Sequence, residues 1–525
     1  MEIFSWRRIL PGTLVCLLCA VMLARTSDPP EYQKAEALVR QGQWDQGIAL
    51  LRDVLLADPA NLKANNLMGI ALTGKGDLVR ANEQFRHALK VNPQFHPALK
   101  NLAINEFNLK ETAAAERDFT AALKLAPNDP VTHTYLGEIS YSRRDYKKAS
   151  THFSMAGLLR LKDPSLALHL AESYLETNED ERAASLLKQL DEQGLDPRLQ
   201  FQAGVLLARH DMYSQAAPFF LAVANRFPDS YNGAFNLAFC YVQMKQYPAA
   251  INVLNRLRDR GRRTAELDNL LAEAFKGNKQ VQEAINMLRE ATLLAPEDEN
   301  NYLDLAALCS DHEAYGLAIE TLNVGLHYLP NSDRLIFQRG AIRAMMGQLD
   351  LAEQDFELAS TLAPEKNLAY VGLGITYMQK SNLPQALEVL RRRTREKPND
   401  YVLQYLLGEV LLRSGLRPGE PSMAEAQQAL EKSVALNPNF SRSRIDLGKV
   451  LLKLNRVENA ITQLEAAREL DPNDKSVYSQ LAAAYRRKGD DARVAEMLGI
   501  VNKLNDQERQ REMRNLVRIV RTDSP

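Results

Sequence analysis

The stretch "HALKVNPQ" at residues 87–94 returns as "AALKLAPN" at 121–128, thirty-four residues later. A fixed period of about twenty to fifty residues marks a repeat architecture, in which each unit leaves an apolar face that only the next copy covers. Prolines keep the beat at Pro59, Pro93, Pro127, Pro164, Pro197, Pro228, Pro296, Pro330, Pro364, Pro398, Pro438 and Pro472. Most steps are thirty-four residues, and the step from Pro228 to Pro296 is twice that, with Arg262 where the missing proline would fall.

Inside each unit a small residue comes early, for example Gly69, Ala103, Gly137, Gly204, Ala238 or Gly374. Twelve residues on stands an alanine such as Ala81, Ala115, Ala149 or Ala386, and four beyond that a bulky apolar side chain such as Phe85, Phe119, Phe153 or Leu390. Apolar spacings of three and four predict two amphipathic helices per unit. The small residue lets the two helices approach, the large one fills the space beside it, and proline ends the second helix. Short polar turns such as "TGKGDLV" and "KLNRVEN" make the pair antiparallel.

These residues resemble the tetratricopeptide repeat, whose pattern is W-x2-L-G-x2-Y, then A-x3-F, then P. The unit "YVGLGITYMQKSNLPQALEVLRRRTREKP" places Leu373, Gly374, Tyr377, Ala386, Leu390 and Pro398 at those positions and lacks the tryptophan, as do most units. The resemblance covers over nine tenths of the chain. It implies an all-α, right-handed superhelical solenoid of about fourteen helix pairs over residues 28–508, expected to form a single elongated body, with a capping helix and tail at 509–525. Two links are longer than the rest: "LRLKDPS" before Pro164, and "GLRPGEPSM" at 415–423, which enlarges one turn between helices. The tail carries Met513, Leu516, Val517 and Val520 on one stripe, as a cap over the last repeat requires.

The chain has 525 residues, 45% hydrophobic and 25% charged, which argues for a folded protein. Lysine plus arginine number 65 against 66 acidic residues, so no global charge draws it to nucleic acid or anionic lipid. Arg7 and Arg8 precede the apolar run "TLVCLLCAVMLA" at 13–24 and the polar "RTSDPP", the order of a secretory signal peptide. Residues 1–27 are therefore read as a signal peptide or, uncleaved, as a membrane anchor. Leu18 and Val15 stand before Cys19 and Cys16 where a lipoprotein signal has a small residue, and "SWRRILPG" shares only the arginine pair with a twin-arginine signal. Without that segment only Cys240 and Cys309 remain, two repeats apart and expected to be buried thiols.

No catalytic motif emerges: no HExxH, P-loop, GxSxG or post-strand GxGxxG. His96, His133 and His169 fall in successive first helices but scatter rather than form ligand spacing. An enzyme, a cofactor and a metal are not expected. What the family resemblance implies instead is a concave surface, lined by the first helix of every unit, that receives a peptide or helix of another protein. The residues facing inward by that register include Phe201, Val205, Phe235, Phe239, Phe337, Val371, Ile375, Met378 and Tyr405, two apolar stretches that stand as candidate partner-binding patches. Elsewhere the wall is polar, with Lys63, Asn66, Lys100, Glu266, Asn269, Arg442 and Lys449. Two ligand codes known in the family are missing: the lysine, asparagine and arginine run of the carboxylate clamp, and the asparagine ladder of nucleocytoplasmic glycosyltransferases. The run "RRRTREKP" reads as a solvated helix end, where cations favour the dipole. The expected function is a non-catalytic scaffold of the cell envelope or secreted space, in a bacterium, with one or more protein partners, no nucleic acid and a possible membrane tether. The alternative is an accessory subunit for surface-polysaccharide synthesis or export.

Overall fold

The computed structural model describes residues 29–157, 163–227 and 231–522, without the side chains of 511–522. The reading of residues 1–27, most of the "LRLKDPS" link and the apolar stripe from Met513 to Val520 lie outside that description. Among the described residues, regular structure is entirely α-helical, twenty-eight helices in fourteen antiparallel pairs. Contacts divide the chain into two compact units, Met1–Leu257 and Arg258–Pro525.

In the first unit the odd-numbered, first helices are α1 (Pro30–Arg40), α3 (Leu62–Gly74), α5 (His96–Asn108), α7 (Pro130–Ser142), α9 (Pro164–Leu175), α11 (Pro197–Arg209) and α13 (Tyr231–Gln243). In the second unit they are α15 (Ala265–Gly277), α17 (Glu299–Asp311), α19 (Asp333–Met345), α21 (Leu368–Gln379), α23 (Tyr401–Arg413), α25 (Ser441–Lys453) and α27 (Lys475–Lys488). Many begin on a side-chain cap: Asn61, Asp129, Asp196, Thr264, Ser332, Asp400 and Asp474 each accept a backbone N–H from the first turn.

Every pair turns on one left-handed residue. Gly42, Gly76, Gly347, Gly415 and Gly489 take positive φ there, and so do Lys110, Arg144, Asn178, Asp211, Lys245, Lys279, Glu313, Ser381 and Asn455. At every such turn but that of Gly415 the next N–H reaches back to the first helix, as Asp77 does to the Leu72 carbonyl at 3.0 Å, which closes the helix end with a Schellman bond.

Within a pair, the small residue and the large one interlock as the sequence predicts. A Cβ on Gly69 would stand 2.5 Å from the Phe85 ring, one on Gly137 2.5 Å from Phe153, and one on Gly204 2.8 Å from Phe220. Where the small residue is alanine the large one is leucine in several units, as in Ala238 with Leu254 and Ala272 with Leu288. The empty tryptophan position has its own chemistry. Six residues after the proline, a side chain donates to that proline's carbonyl: Asn65 to Pro59 (3.0 Å), Tyr302 to Pro296 (3.1 Å), Gln404 to Pro398 (3.0 Å), Arg444 to Pro438 (2.9 Å) and Tyr478 to Pro472 (2.8 Å). These bonds satisfy a carbonyl left over at the inter-repeat turn.

The prolines are of two kinds, which corrects the single role read from the sequence. Pro59 and Pro93 follow the second helices α2 (Trp44–Ala57) and α4 (Leu78–Val91). Pro164 and Pro197 open α9 and α11, where a fixed φ and a missing N–H cost nothing.

Within each unit every second helix packs on the first helix of the next pair, and successive first helices also touch. Within the first unit α1 packs on α3, α3 on α5, and α9 on α11; within the second, α17 packs on α19 and the series continues to α25 on α27. No second helix among the described residues packs comparably on the next second helix, so within each stack the first helices lie on the inside of the curve. The enlarged turn at 415–423 is pinned by its own apolar side chains, with Leu416 and Met423 buried in the core of the second unit. The chain ends in α28 (Asp491–Thr522), one helix that is both the partner of α27 and the start of the tail. Val494 and Met497 bury its first part.

Candidate protein-binding groove

The apolar inner-wall residues are mostly packed. Phe201 sets its ring edge on Phe220 at 5.6 Å, Phe235 stacks on Tyr231 at 5.3 Å, and Phe239 meets Tyr213 at 5.9 Å. Val205 is half-buried beside Phe201. In the second unit Phe337 packs on Phe356 at 5.4 Å, Val371 is half-buried, and Met378 and Tyr405 are buried. Of the nine, Ile375 is exposed, at 39%. The ring partners of the phenylalanines stand on second helices (Phe220, Tyr213, Phe356) or on the same helix (Tyr231), so side chains aimed inward by register lean on these helices before they meet solvent.

Polar residues of the wall bridge successive first helices instead. Asn101 donates to Asn66 at 3.3 Å, Asn105 to Thr73 at 2.8 Å, Asn269 to Asn301 at 2.8 Å and Asn367 to Asp400 at 2.6 Å. Lys100 pairs with Asp129 at 3.0 Å. Between α7 and α9, Tyr141 stacks on His169 at 4.2 Å and donates its hydroxyl to Glu172, while Glu138 holds His169 Nδ1 at 2.7 Å. Burial opposes the His169 imidazolium, and the Glu138 carboxylate outweighs it, holding the ring above its ordinary range.

His96, His133 and His169 do not converge. His133 shares a hydrogen bond with His152 of α8 (Tyr146–Ala156) at 3.0 Å through the two Nδ1 atoms and another with the Pro127 carbonyl at 2.9 Å. Among the described residues no group of three or more His, Cys, Asp or Glu could hold a metal ion. Cys240 and Cys309 are buried free thiols, and burial pushes Cys240 up to about 12.

The basic run at the end of α22 (Leu383–Glu396) is solvated at Arg392, Arg395 and Lys397, as expected, but not at Arg393 and Arg391. Arg393 is 3% exposed, lies over the Tyr370 ring at 4.2 Å, and donates to Asn367 at 2.8 Å. Arg391 grips Glu425 with two bonds of 2.8 and 2.6 Å. Arg393 is occupied within its own helix pair and Arg391 by the next repeat.

Across α23, α25 and α27 the wall opens into a groove of about 640 Å³. Leu412, Ile445, Leu452 and Ala483 contribute apolar surface, and charged side chains rise from all three helices. Arg413 pairs with Glu409 at 2.5 Å and Lys449 with Asp446 at 2.7 Å. Burial raises the Asp446 carboxyl above its usual range in spite of the Lys449 ammonium. Tyr405 forms part of the lining with its hydroxyl beside Glu409, and burial, then the nearby carboxylates, raises the phenol. Arg487 donates to the Leu452 carbonyl and so caps α25. Arg442 and Lys453 are exposed, and among the described residues no carboxylate pairs with either. The sequence register placed Arg442 and Lys449 on the wall but held no sign that Lys453 and Arg487 join them from the ends of their helices.

Stacked helix pairs with an open inner wall define a protein-interaction scaffold. Tetratricopeptide repeat models match residues 32–95, 207–274 and 422–485. Tetratricopeptide repeat protein 21A of Mus musculus is 21% identical, covering 87% of this chain and 38% of its own length. BBSome complex member BBS4 of Bos taurus is 24% identical over 49% of this chain and 48% of its own. The chain thus spans less than half the length of these curated relatives. The crystal structure of yeast Tom70 aligns with a TM-score of 0.37 at 16% identity, over 82% of this chain and 99% of that one. The matches, spread from one end to the other, show that the chain carries tetratricopeptide repeats. No helix among the described residues is long and apolar enough to cross a membrane.

Proposed function

We propose that this chain is a non-catalytic scaffold that holds partner proteins against the inner walls of its repeat stacks, and that it does so in the cell envelope or secreted space. The observation that carries the first part is the inner wall itself: first helices pack on first helices, and along α23, α25 and α27 they line a groove that carries uncompensated charge. One relative is named as a member of a complex, which agrees with a scaffold role. The envelope location is supported by Arg7 and Arg8 ahead of the apolar run at 13–24.

The full chain with a photo-crosslinking amino acid at Ile375, on the inner wall, is compared with one at Leu56, which is 81% exposed on a second helix. Crosslinks to one defined protein from Ile375 and none from Leu56 are expected. Equal labelling from both positions, or none from either, would overturn the groove reading. Fractionation of the native cells tests location: the protein is expected with the envelope or the medium, and recovery in the cytosol removes that part.

A further inference from the structure

We propose that the groove of α23, α25 and α27 binds an extended, acidic segment of a partner protein, gripping internal Asp or Glu side chains through Arg442 and Lys453. The inference rests on the scaffold reading and names the chemistry of its partner.

Charge comes first. Arg413, Arg442, Lys449, Lys453 and Arg487 face three carboxylates, Glu409, Asp446 and Asp474. Two of those carboxylates are held by Arg413 and Lys449, and Asp474 is occupied in capping α27 through the Ser476 N–H at 2.7 Å. Arg442 and Lys453 are left with their donors unused, so an incoming carboxylate displaces no existing partner.

Spacing then selects the ligand. Arg442 and Lys453 are eleven residues apart on one helix, three turns at about 3.6 residues each, so they share a face about 16 Å apart. A single phosphate or carboxylate group cannot reach both. An extended chain advances about 3.3 Å per residue and alternates its faces, so carboxylates about four positions apart, which share a face and stand about 13 Å from each other, fit the two cations within the reach of their long side chains. The residues between them would pass between Leu412 and Ala483, the half-buried apolar side chains of the lining. A nucleic acid fits less well: Glu409, Asp446 and Asp474 interrupt the positive surface, and Tyr405, the aromatic of the groove, is buried and offers no open face for a base. The cations also differ in kind from a grip on a chain terminus, because they are spread along a helix instead of converging on one point.

The test is fluorescence anisotropy with the full chain and labelled, C-terminally amidated peptides of serine and leucine. One carries glutamates about four positions apart, a second has glutamine in their place, and a third has the glutamates about two apart. The first is expected to bind at least about tenfold more tightly than the others, and to weaken as salt screens the charges. Arg442→Glu with Lys453→Glu is expected to lower its affinity at least about tenfold, while Lys124→Glu, an exposed cation in the other unit, leaves it unchanged. Both substituted side chains are exposed, so circular dichroism should match the parent. Equal binding of glutamate and glutamine probes, parent-like binding by the double variant, or no binding of the first probe at about 0.1 M salt would each overturn the proposal. If the crosslink from Ile375 to a partner persists in any of those cases, the scaffold reading stands and only the acidic segment is lost.

Discussion

Gly137→Ala tests the interlock that sets each helix pair. The added Cβ would stand 2.5 Å from Cδ1 and Cε1 of Phe153, a distance real contacts do not reach, and Phe153 is fully buried. The ring cannot swing away, because Ala149 and Ala167 are packed in the same core. Overpacking of this kind costs about 1–3 kcal/mol. Replacing a mid-helix glycine by alanine returns about 1 kcal/mol of helix propensity. The single variant should therefore lose about 0–2 kcal/mol. Phe153→Leu alone should lose about 1–2 kcal/mol, from buried area and the space left behind. In the double variant the clash is gone and the propensity gain remains, so Gly137→Ala should change sign and, in the Phe153→Leu background, stabilise by up to about 1 kcal/mol. Ala238 with Leu254 and Ala272 with Leu288 show that the chain already uses that combination. The assay is urea denaturation of all four proteins, with amide exchange in α7 and α8, because repeat arrays can unfold in stages. Effects that add to within about 0.5 kcal/mol would refute the reasoning, since independent sites add and interlocked ones do not.

Three further perturbations follow from single groups. Lys279 sits at φ 62°, so Lys279→Gly should stabilise the second unit by up to about 1 kcal/mol, while Gly76→Ala, at φ 86°, should cost about 1–2 kcal/mol; denaturation midpoints decide both. Glu106 is 3% exposed, and burial, helped by the Asp118 charge, pushes its carboxyl up to about 7 against the pull of Arg86. The native state then holds a proton that the unfolded state releases near 4.5, so stability falls as pH rises from there and levels off above about 7, a loss of at most about 3 kcal/mol. Glu106→Gln should remove that slope between about pH 5 and 7 and be more stable than the parent at about pH 8; an unchanged slope in urea titrations would count against it.

Much of the fold is legible in the spacing of residues along the chain. The interval from Gly137 to Phe153 encodes a contact between two helices, because both residues lie at fixed places on regular helices joined by a turn of constant length. The turn position is readable too, although lysine or glutamate there carries no hint of left-handed backbone. That conformation is imposed by the Schellman bonds of a closed helix pair, which outweigh the cost to a side-chain-bearing residue. Proline is ambiguous for a related reason: it suits the end of one helix and the first turn of the next alike, so Pro197 reads like Pro93 and is not.

The class, the number of pairs and which helix of each pair faces the neighbouring first helices all follow from the linear pattern, since a thirty-four-residue period leaves each apolar face only one cover. Which inner-wall residues meet solvent does not follow from it. Phe239 and Ile375 stand at the same register, one residue after the small residue of their units, yet the first packs on Tyr213 and the second is exposed, because exposure depends on how closely one first helix lies against its neighbours. The same holds for charge: Arg393 and Arg442 are alike in sequence, and only the packing of helix on helix bound the first to Tyr370 and Asn367 of its own pair and left the second open in the groove.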